Sequence, residues 1–490
     1  MGNKKRVMPA HYRKDALIIF FLLAFTFGYF YQIGGWNGNS RFDLIFAIVR
    51  EGRLTIDTFQ HQGDTTTGDK AFFDGHYYSD KAPGPALVGA AIYFPLYWIR
   101  LIFHYVGQTS AEQILTFLVL GVPSALAGSL IYILCLYLSR NRFRAYLVTL
   151  ITTLGTMYFP YTVTFFSHQF SSSLLFGAFF LIFFLKERPE IWKNWYSFLI
   201  GFLLGWAFIS EFQTAIIIIA LACYYLYAIW RNQNFRHFRS IFLPILGGAI
   251  PLIILLVYNK LCFGNFLSLG YAHESDSGFN SSMAQGLMGI TWPSLLVLYY
   301  WTFQPALGLF WQSPALLFSI VGAVFMFLKR FYRAEAILAL WIIGSYIIIM
   351  SGYYLWWGGS ALGARFIIPI LPFFCILLVF VPKRLTWPLL VAGLVSIGQM
   401  LIAAASIVQV PNGKLAIRIG TLGFFEYSNI YSYCLKLLLK GKFGQNLGNQ
   451  LLGLRSWNSL IPLMVVLAGV SFFFLNGMKL FHPQNRPSLR

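Results

Sequence analysis

A succession of apolar runs, each roughly 17 to 25 residues long and set apart by short basic clusters, restricts this chain to one kind of architecture. Runs of that length cross a bilayer as helices, whereas barrel strands need only about 9 to 11 residues. Composition agrees: 58% of the 490 residues are hydrophobic and 11% are charged, and the mean hydropathy is +0.66. These values exclude a soluble globular chain. The net charge of +20 does not mark a nucleic-acid binder, because Lys and Arg fall between the apolar runs and form no basic face. Five Cys, without a CxxC pair or His/Cys ligand spacing, indicate neither a disulfide framework nor a zinc site.

Charge fixes the expected sidedness. The first apolar run, 16–33, has no small-residue cleavage site and leads into Gly34-Gly35-Trp36, so it reads as an anchored helix. Lys4, Lys5, Arg6, Arg13 and Lys14 precede it and place the N-terminus in the cytoplasm. The later clusters at Arg140/Arg142/Arg144, Lys186/Arg188/Lys193, Arg231/Arg236/Arg239, Lys329/Arg330/Arg333 and Lys383/Arg384, and the tail with Lys479, Arg486 and Arg490, belong on the same side. Parity then requires that the stretch 84–106, interrupted by Pro85 and Pro95 and carrying Arg100 and His104, lie in the membrane plane or re-enter. Crossings follow at 113–138, 145–166, 169–186, 196–211, 213–230, 241–258, 307–328, 335–354, 366–382, 386–408 and 458–476, twelve with the first. The stretch 286–304, broken by Pro293, stays outside as a surface or re-entrant segment. Most acidic residues fall on the outer side. Residues 1–408 read as one transmembrane catalytic domain, and 409–490 as a small outer segment plus the last helix.

The first outer loop, 34–112, holds the densest chemistry. Phe42, Ile45, Phe46 and Val49 recur at helical spacing, which predicts an amphipathic helix lying on the membrane surface. Asp43, Asp57, Asp64, Asp69, Asp74 and Asp80 gather beside Arg41, Lys70 and Lys81, more ionisable groups than a connector needs. Three other outer positions stand out. Ser167-His168-Gln169 sits where one span ends and the next begins, Glu211 lies between two apolar runs, and the aromatic and glycine-rich turn 353–365 ends in Arg365. A histidine at a helix end is commonly just a satisfied polar residue, and Glu211 could equally be a solvated turn.

Opposite charges paired at a membrane surface suit the transfer of a sugar from a lipid-linked phosphate to a hydroxyl. The departing phosphate is already a stable anion and needs no general acid, unlike the leaving group in glycoside hydrolysis. One base to take the acceptor proton and cations to neutralise the phosphate suffice, Arg acting as a bidentate fork and Lys as a point charge.

At these residues the sequence resembles the GT-C glycosyltransferases, multi-spanning enzymes that use polyprenyl-phosphate sugars, and more narrowly the aminoarabinose transferases of lipid A, the protein O-mannosyltransferases and a bacterial subgroup of uncharacterised members. Asn39-Ser40-Arg41-Phe42-Asp43 is similar to the opening motif of the family's first outer loop, and Ser79-Asp80-Lys81-Ala82-Pro83-Gly84 to its closing acidic-Lys-Pro-Pro motif. Arg365-Phe366 with Pro369 and Pro372 is similar to an Arg-Tyr-x-x-Pro-x-x-Pro element, and Gly270-Tyr271 and Gly308-Leu309-Phe310 fit the bacterial subgroup. The Asp-Glu that begins the family motif falls on Gly38-Asn39, which leaves Asp43 as the nearest carboxylate, and the second-loop acidic position falls on His168.

The resemblance implies an all-α, GT-C-like bundle of about 12 transmembrane helices in the cytoplasmic membrane, both termini cytoplasmic and the active site periplasmic or extracellular. It implies an inverting transfer in which Asp43 is the base, with Arg41 and His168 beside it in catalysis. Lys81, Arg365 and Arg41 would hold the donor phosphate, while Asp80, Glu211, Tyr78 and Tyr271 would position substrate. The expected partners are membrane lipid, a polyprenyl-phosphate sugar donor and a glycan, lipid or protein acceptor. The residues neither require a divalent cation nor rule one out. The rival reading is a transporter or flippase of a lipid-linked glycan, which calls for ionisable groups near the midplane of the spans.

Overall fold

The computed structural model describes residues 12–61, 66–103, 107–232, 238–410 and 428–479. Lys4, Lys5, Arg6, Asp64, His104, Arg236, Arg486, Arg490 and residues 411–427 of the expected outer segment lie outside the described residues. The fold is helical, and among the described residues seven helices are long and apolar enough to cross a membrane: Gln108–Ser139, Ser167–Glu187, Phe212–Arg231, Ser240–Phe263, Arg333–Met350, Lys383–Ala405 and Ser456–Phe474. Asn194–Ser210, Pro314–Leu328 and Arg365–Leu378 are shorter apolar helices, and Tyr12–Tyr29 is apolar after its charged first turn.

Proline and glycine shape the remaining spans. The expected crossing 145–166 is two helices, Arg142–Leu154 and Tyr158–Thr162, because the chain bends at Gly155, where a Cβ would come 2.7 Å from the Ile151 carbonyl oxygen. Arg365–Phe373 winds as a tighter 3₁₀ turn before the α-helix Phe374–Leu378, since Pro369 and Pro372 supply no N–H to an α-helical ladder. Where close approach matters, small residues permit it: a Cβ on Gly201 would lie 1.8 Å from the Pro244 carbonyl oxygen and one on Gly247 2.0 Å from that of Phe198. Asn194–Ser210 and Phe238–Phe263 therefore cross backbone to backbone.

Large apolar side chains point outward, among them Ile245 at 65%, Leu261 at 67% and Trp387 at 75% exposure, as expected of surfaces solvated by lipid tails. Polar groups turn inward and gather at the two ends of the bundle. At one end Arg142 pairs with Asp15 at 2.6 Å, Tyr132 donates to Asp15 at 2.8 Å, and Lys186 contacts Glu335 and Glu187. This is the end carrying the basic clusters. The helix Ser167–Glu187 runs from that cluster, at Lys186, to the opposite end, at Ser167.

At the opposite end the described part of the loop expected outside, after the first helix, folds into a cap. The helix Gly35–Phe46 and the π-helical turn Ala47–Glu51 do not lie on the membrane surface as the apolar spacing predicts. Every residue from Gly38 to Ala47 is buried, because its polar side chains point into the protein and not into water. Its aromatic face meets other rings, Phe42 against Phe165 at 4.6 Å and Phe46 against Tyr93 at 5.3 Å. A hairpin follows, Ala71–Phe73 with His76–Tyr78, joined by Asp74 and Gly75 at φ 50° and 81°, the left-handed pair that a two-residue hairpin turn demands.

The helix Gly84–Phe103 keeps both ends near the cap. Its first residue abuts Ser210, where a Cβ would be 2.9 Å from Ser210 Cα. Its far end leads toward Gln108, one turn before Glu112, which accepts from Tyr31 at the outer end of the first helix at 2.9 Å. The 286–304 stretch contains only the eight-residue helix Leu295–Thr302, too short to span. The C-terminal part is not separate: Phe30–Tyr31 pairs antiparallel with Gln445–Asn446, and Tyr29 donates to the Ser459 carbonyl at 2.6 Å.

Candidate active site

Several chain segments meet at the cap end and line a cavity of about 820 Å³. The first supplies Arg41, whose position one helical turn after Asn37 lets Nη1 donate to the Asn37 side chain at 2.7 Å. Its Nη2 donates to Ser167 Oγ at 2.8 Å, at the start of the helix Ser167–Glu187. Ser167 in turn donates to Glu211 Oε2 at 2.6 Å, and His168 Nδ1 lies 2.8 Å from the same oxygen. Arg41, Ser167, His168 and Glu211 thus form one buried chain of contacts, with 2%, 1%, 4% and 5% of their surfaces exposed. Phe366 packs edge-on against the His168 ring at 5.3 Å and fixes its plane.

Lys81 enters from the end of the hairpin. Its Nζ lies 3.0 Å from Asp69 Oδ2 and contacts Asp80, while Asp80 accepts from Ser40 at 3.2 Å. Burial alone would lower the Lys81 pKa, but the carboxylates of Asp69 and Asp80 outweigh it and raise the value well above the usual lysine range. The lysine is therefore a fixed cation. Glu274 comes from the segment after the helix Phe238–Phe263; this segment docks on the hairpin through the Ala71–Glu274 bridge and a Ser275 N–H donated to the Lys70 carbonyl at 3.0 Å. Burial, then the neighbouring Asp80, pushes its carboxyl up to about 10, which favours the protonated form.

Arg365 stands on the far wall at the end of the glycine-rich turn. Its guanidinium lies 4.9 Å from the Phe166 ring and 5.2 Å from that of Phe366, and Gly358, at φ 80°, brings backbone against its aliphatic stem. Among the described residues neither Arg41 nor Arg365 has a carboxylate within ion-pair distance, though both are at least nine-tenths buried. Their Nε atoms lack acceptors as well. Buried cations of this kind are costly unless an anion joins them, so the cavity is built for one.

Six of the residues singled out in the sequence line the cavity: Arg41, Lys81, His168, Glu211, Tyr271 and Arg365. Three do not. Asp43, expected as base, is wholly buried and lies behind the wall, because the helix that carries it turns Arg41 toward the cavity and Asp43 away. Asp80 backs Lys81, and Tyr78 packs on Phe263 with ring centroids 5.4 Å apart. The carboxylate that faces the cavity beside Lys81 is Asp69, one of six aspartates in the loop that spacing could not rank. Trp36, Gln213, Glu274, Trp356 and Trp357 also line it. Of these, Trp36 and the Trp pair sat in segments the sequence marked, whereas Gln213 carried no signal. Among the described residues no group of three or more His, Cys, Asp and Glu could hold a metal ion.

No protein-family model matches the chain, and no curated protein does. Among solved structures it is similar to ArnT from Cupriavidus metallidurans, crystallised with undecaprenyl phosphate, at a TM-score of 0.44 and 12% sequence identity over 88% of this chain and 71% of that one. So distant a likeness carries no weight for the roles of individual residues.

Proposed function

We propose that this chain is a glycosyltransferase of the cytoplasmic membrane, moving a sugar from a polyprenyl-phosphate donor to a hydroxyl acceptor at the extracytoplasmic face. The observation that carries this reading is the pair of buried guanidiniums, Arg41 and Arg365, which face one cavity with no carboxylate at ion-pair distance among the described residues. The cavity lies at the end of the bundle away from the basic clusters, the side that the positive-inside rule assigns to the exterior. A lipid phosphate is the anion that reaches such a place from the bilayer.

In this reading the acceptor oxygen attacks the anomeric carbon as the bond from that carbon to the phosphate oxygen breaks, with inversion. The polyprenyl phosphate leaves as an anion held by Arg365 and Arg41, with Lys81 as a third cation. The acceptor proton passes to Asp69, which takes the role expected of Asp43, since a base must touch the hydroxyl it deprotonates. Asp80 and Ser40 position Lys81. Glu211 and His168 position Arg41 through Ser167, and Tyr271, 5.8 Å from Lys81 Nζ, flanks the phosphate. A transporter reading has less to stand on, because the charged side chains described in the spanning helices lie at helix ends.

The test is donor turnover by purified protein given polyprenyl-phosphate sugars, comparing wild type with Asp69→Asn and Lys81→Ala. Transfer or sugar release should collapse in both. Undiminished turnover in the two variants would remove the assignment.

A further inference from the structure

The cations of the cavity account for a phosphate, but not for the rest of its wall. Trp36, Tyr354, Trp356 and Trp357 line the same space, interleaved with amide and hydroxyl side chains such as Gln213 and Ser360. Gln213 Oε1 is buried there without a donor. A cavity of about 820 Å³ is also large for one phosphate and one sugar ring, being in the size range that encloses drug-sized ligands.

The aromatic wall is rigid. Trp356 stacks on Tyr300 with centroids 5.1 Å apart and meets Trp357 edge-on at 5.7 Å and 81°, so the two indoles form a corner. Trp301 Nε1 donates to the Trp356 carbonyl at 2.9 Å, and the Tyr354 N–H donates to the Gly289 carbonyl at 2.9 Å. Across the cavity, Trp36 packs on Gly68, where a Cβ would come within 2.7 Å of its ring. Interfacial Trp residues that merely anchor a helix face lipid; Trp356 and Trp357 are half-buried at the cavity and braced from behind, and Trp36, 56% exposed, borders it from the other side.

Rings alternating with amides match one ligand chemistry. A pyranose presents a flat C–H face that packs on an aromatic ring and a rim of hydroxyls that pair with amides. A lipid chain would leave the amides unsatisfied, and an extended peptide would seek a strand edge, which this bowl of helix ends and loops does not offer. We infer that the acceptor is a carbohydrate, an oligosaccharide of at least two rings held on the Trp36, Trp356 and Trp357 faces. This rests on the glycosyltransferase reading above and narrows its acceptor.

The experiment has two arms in nanodiscs free of glycoside detergent, since a maltoside would compete. In the first, saturation-transfer NMR measures binding of chitotetraose, cellotetraose, mannotetraose and a serine-rich peptide, with no donor present. At least one tetrasaccharide should bind, and Trp36→Ala and Trp357→Ala should each weaken it about tenfold, the order of one lost ring contact. Trp457→Ala, remote from the cavity, should bind as wild type. The second arm measures polyprenyl-phosphate sugar consumption with and without each acceptor. Binding of the peptide alone, of no tetrasaccharide, or of a tetrasaccharide unaffected by both tryptophan variants overturns the inference. Saccharide binding without donor consumption would instead sink the transferase reading and leave a glycan-binding cavity.

Discussion

Arg365→Ala separates a cation built for a ligand from one built for the fold. In the free protein Arg365 is 9% exposed and its guanidinium has two aromatic neighbours, at 4.9 and 5.2 Å, with no carboxylate at ion-pair distance among the described residues. Truncation forfeits two cation–π contacts, about 1 kcal/mol each. It also relieves an uncompensated buried charge, a cost of the same order after relaxation. The melting temperature should therefore barely move. Catalysis should not be spared: losing a preorganised cation from a developing oxyanion costs about 2.7 to 4 kcal/mol, or roughly 100- to 1,000-fold in kcat. Arg365→Lys keeps the charge but not the fork and should fall between. The assay pairs donor turnover with thermal unfolding in the presence of polyprenyl phosphate, where a ligand at about 100 times its Kd stabilises the wild type by roughly 2.7 kcal/mol. That protection should vanish in Arg365→Ala. Turnover within threefold of wild type, with ligand protection intact, would refute the reasoning.

Three further outcomes are expected. Because burial holds the Glu274 carboxyl up to about 10, its stability contribution is complete below the ordinary carboxylate range and is lost as pH rises toward the folded value; the melting temperature should drop between about pH 6 and about pH 9, and Glu274→Gln should flatten that slope. Lys186→Met strands the buried Glu335 carboxylate and should cost roughly 3 to 5 kcal/mol in unfolding experiments, most of it recovered by adding Glu335→Leu; equal stability of the single and double variants would count against the ion pair. Cysteines introduced at Arg140 and Ser360 should react with a membrane-impermeant maleimide from opposite faces of sealed vesicles, and labelling from the same face would overturn the sidedness.

Much of the fold could be read from the chain because lipid leaves few options: most of each expected crossing is helix, and the helix within 286–304 is too short to span. What periodicity could not supply was direction. Arg41 and Asp43 looked like the wet face of a surface helix, yet in a membrane protein polar side chains turn toward each other, and that helix is buried from Gly38 onward. Asp69 was indistinguishable from its five neighbours until the Asp74-Gly75 turn folded the loop back and set it 3.0 Å from Lys81. Tyr78 and Asp80 stand behind the cavity lining for the same reason: which side chains pass through the wall depends on a hairpin register that no spacing announces.

The cavity draws its walls from residues as distant as Gly35 and Gln409, and Gln409 donates across to the Gly34 carbonyl. No contiguous fragment contains it. During synthesis, then, the first outer loop emerges long before the strip that faces it, and activity can arise only after the ribosome has passed the second half of the gene. A chain split near residue 235 should be silent as either piece alone and regain function only when both are expressed together.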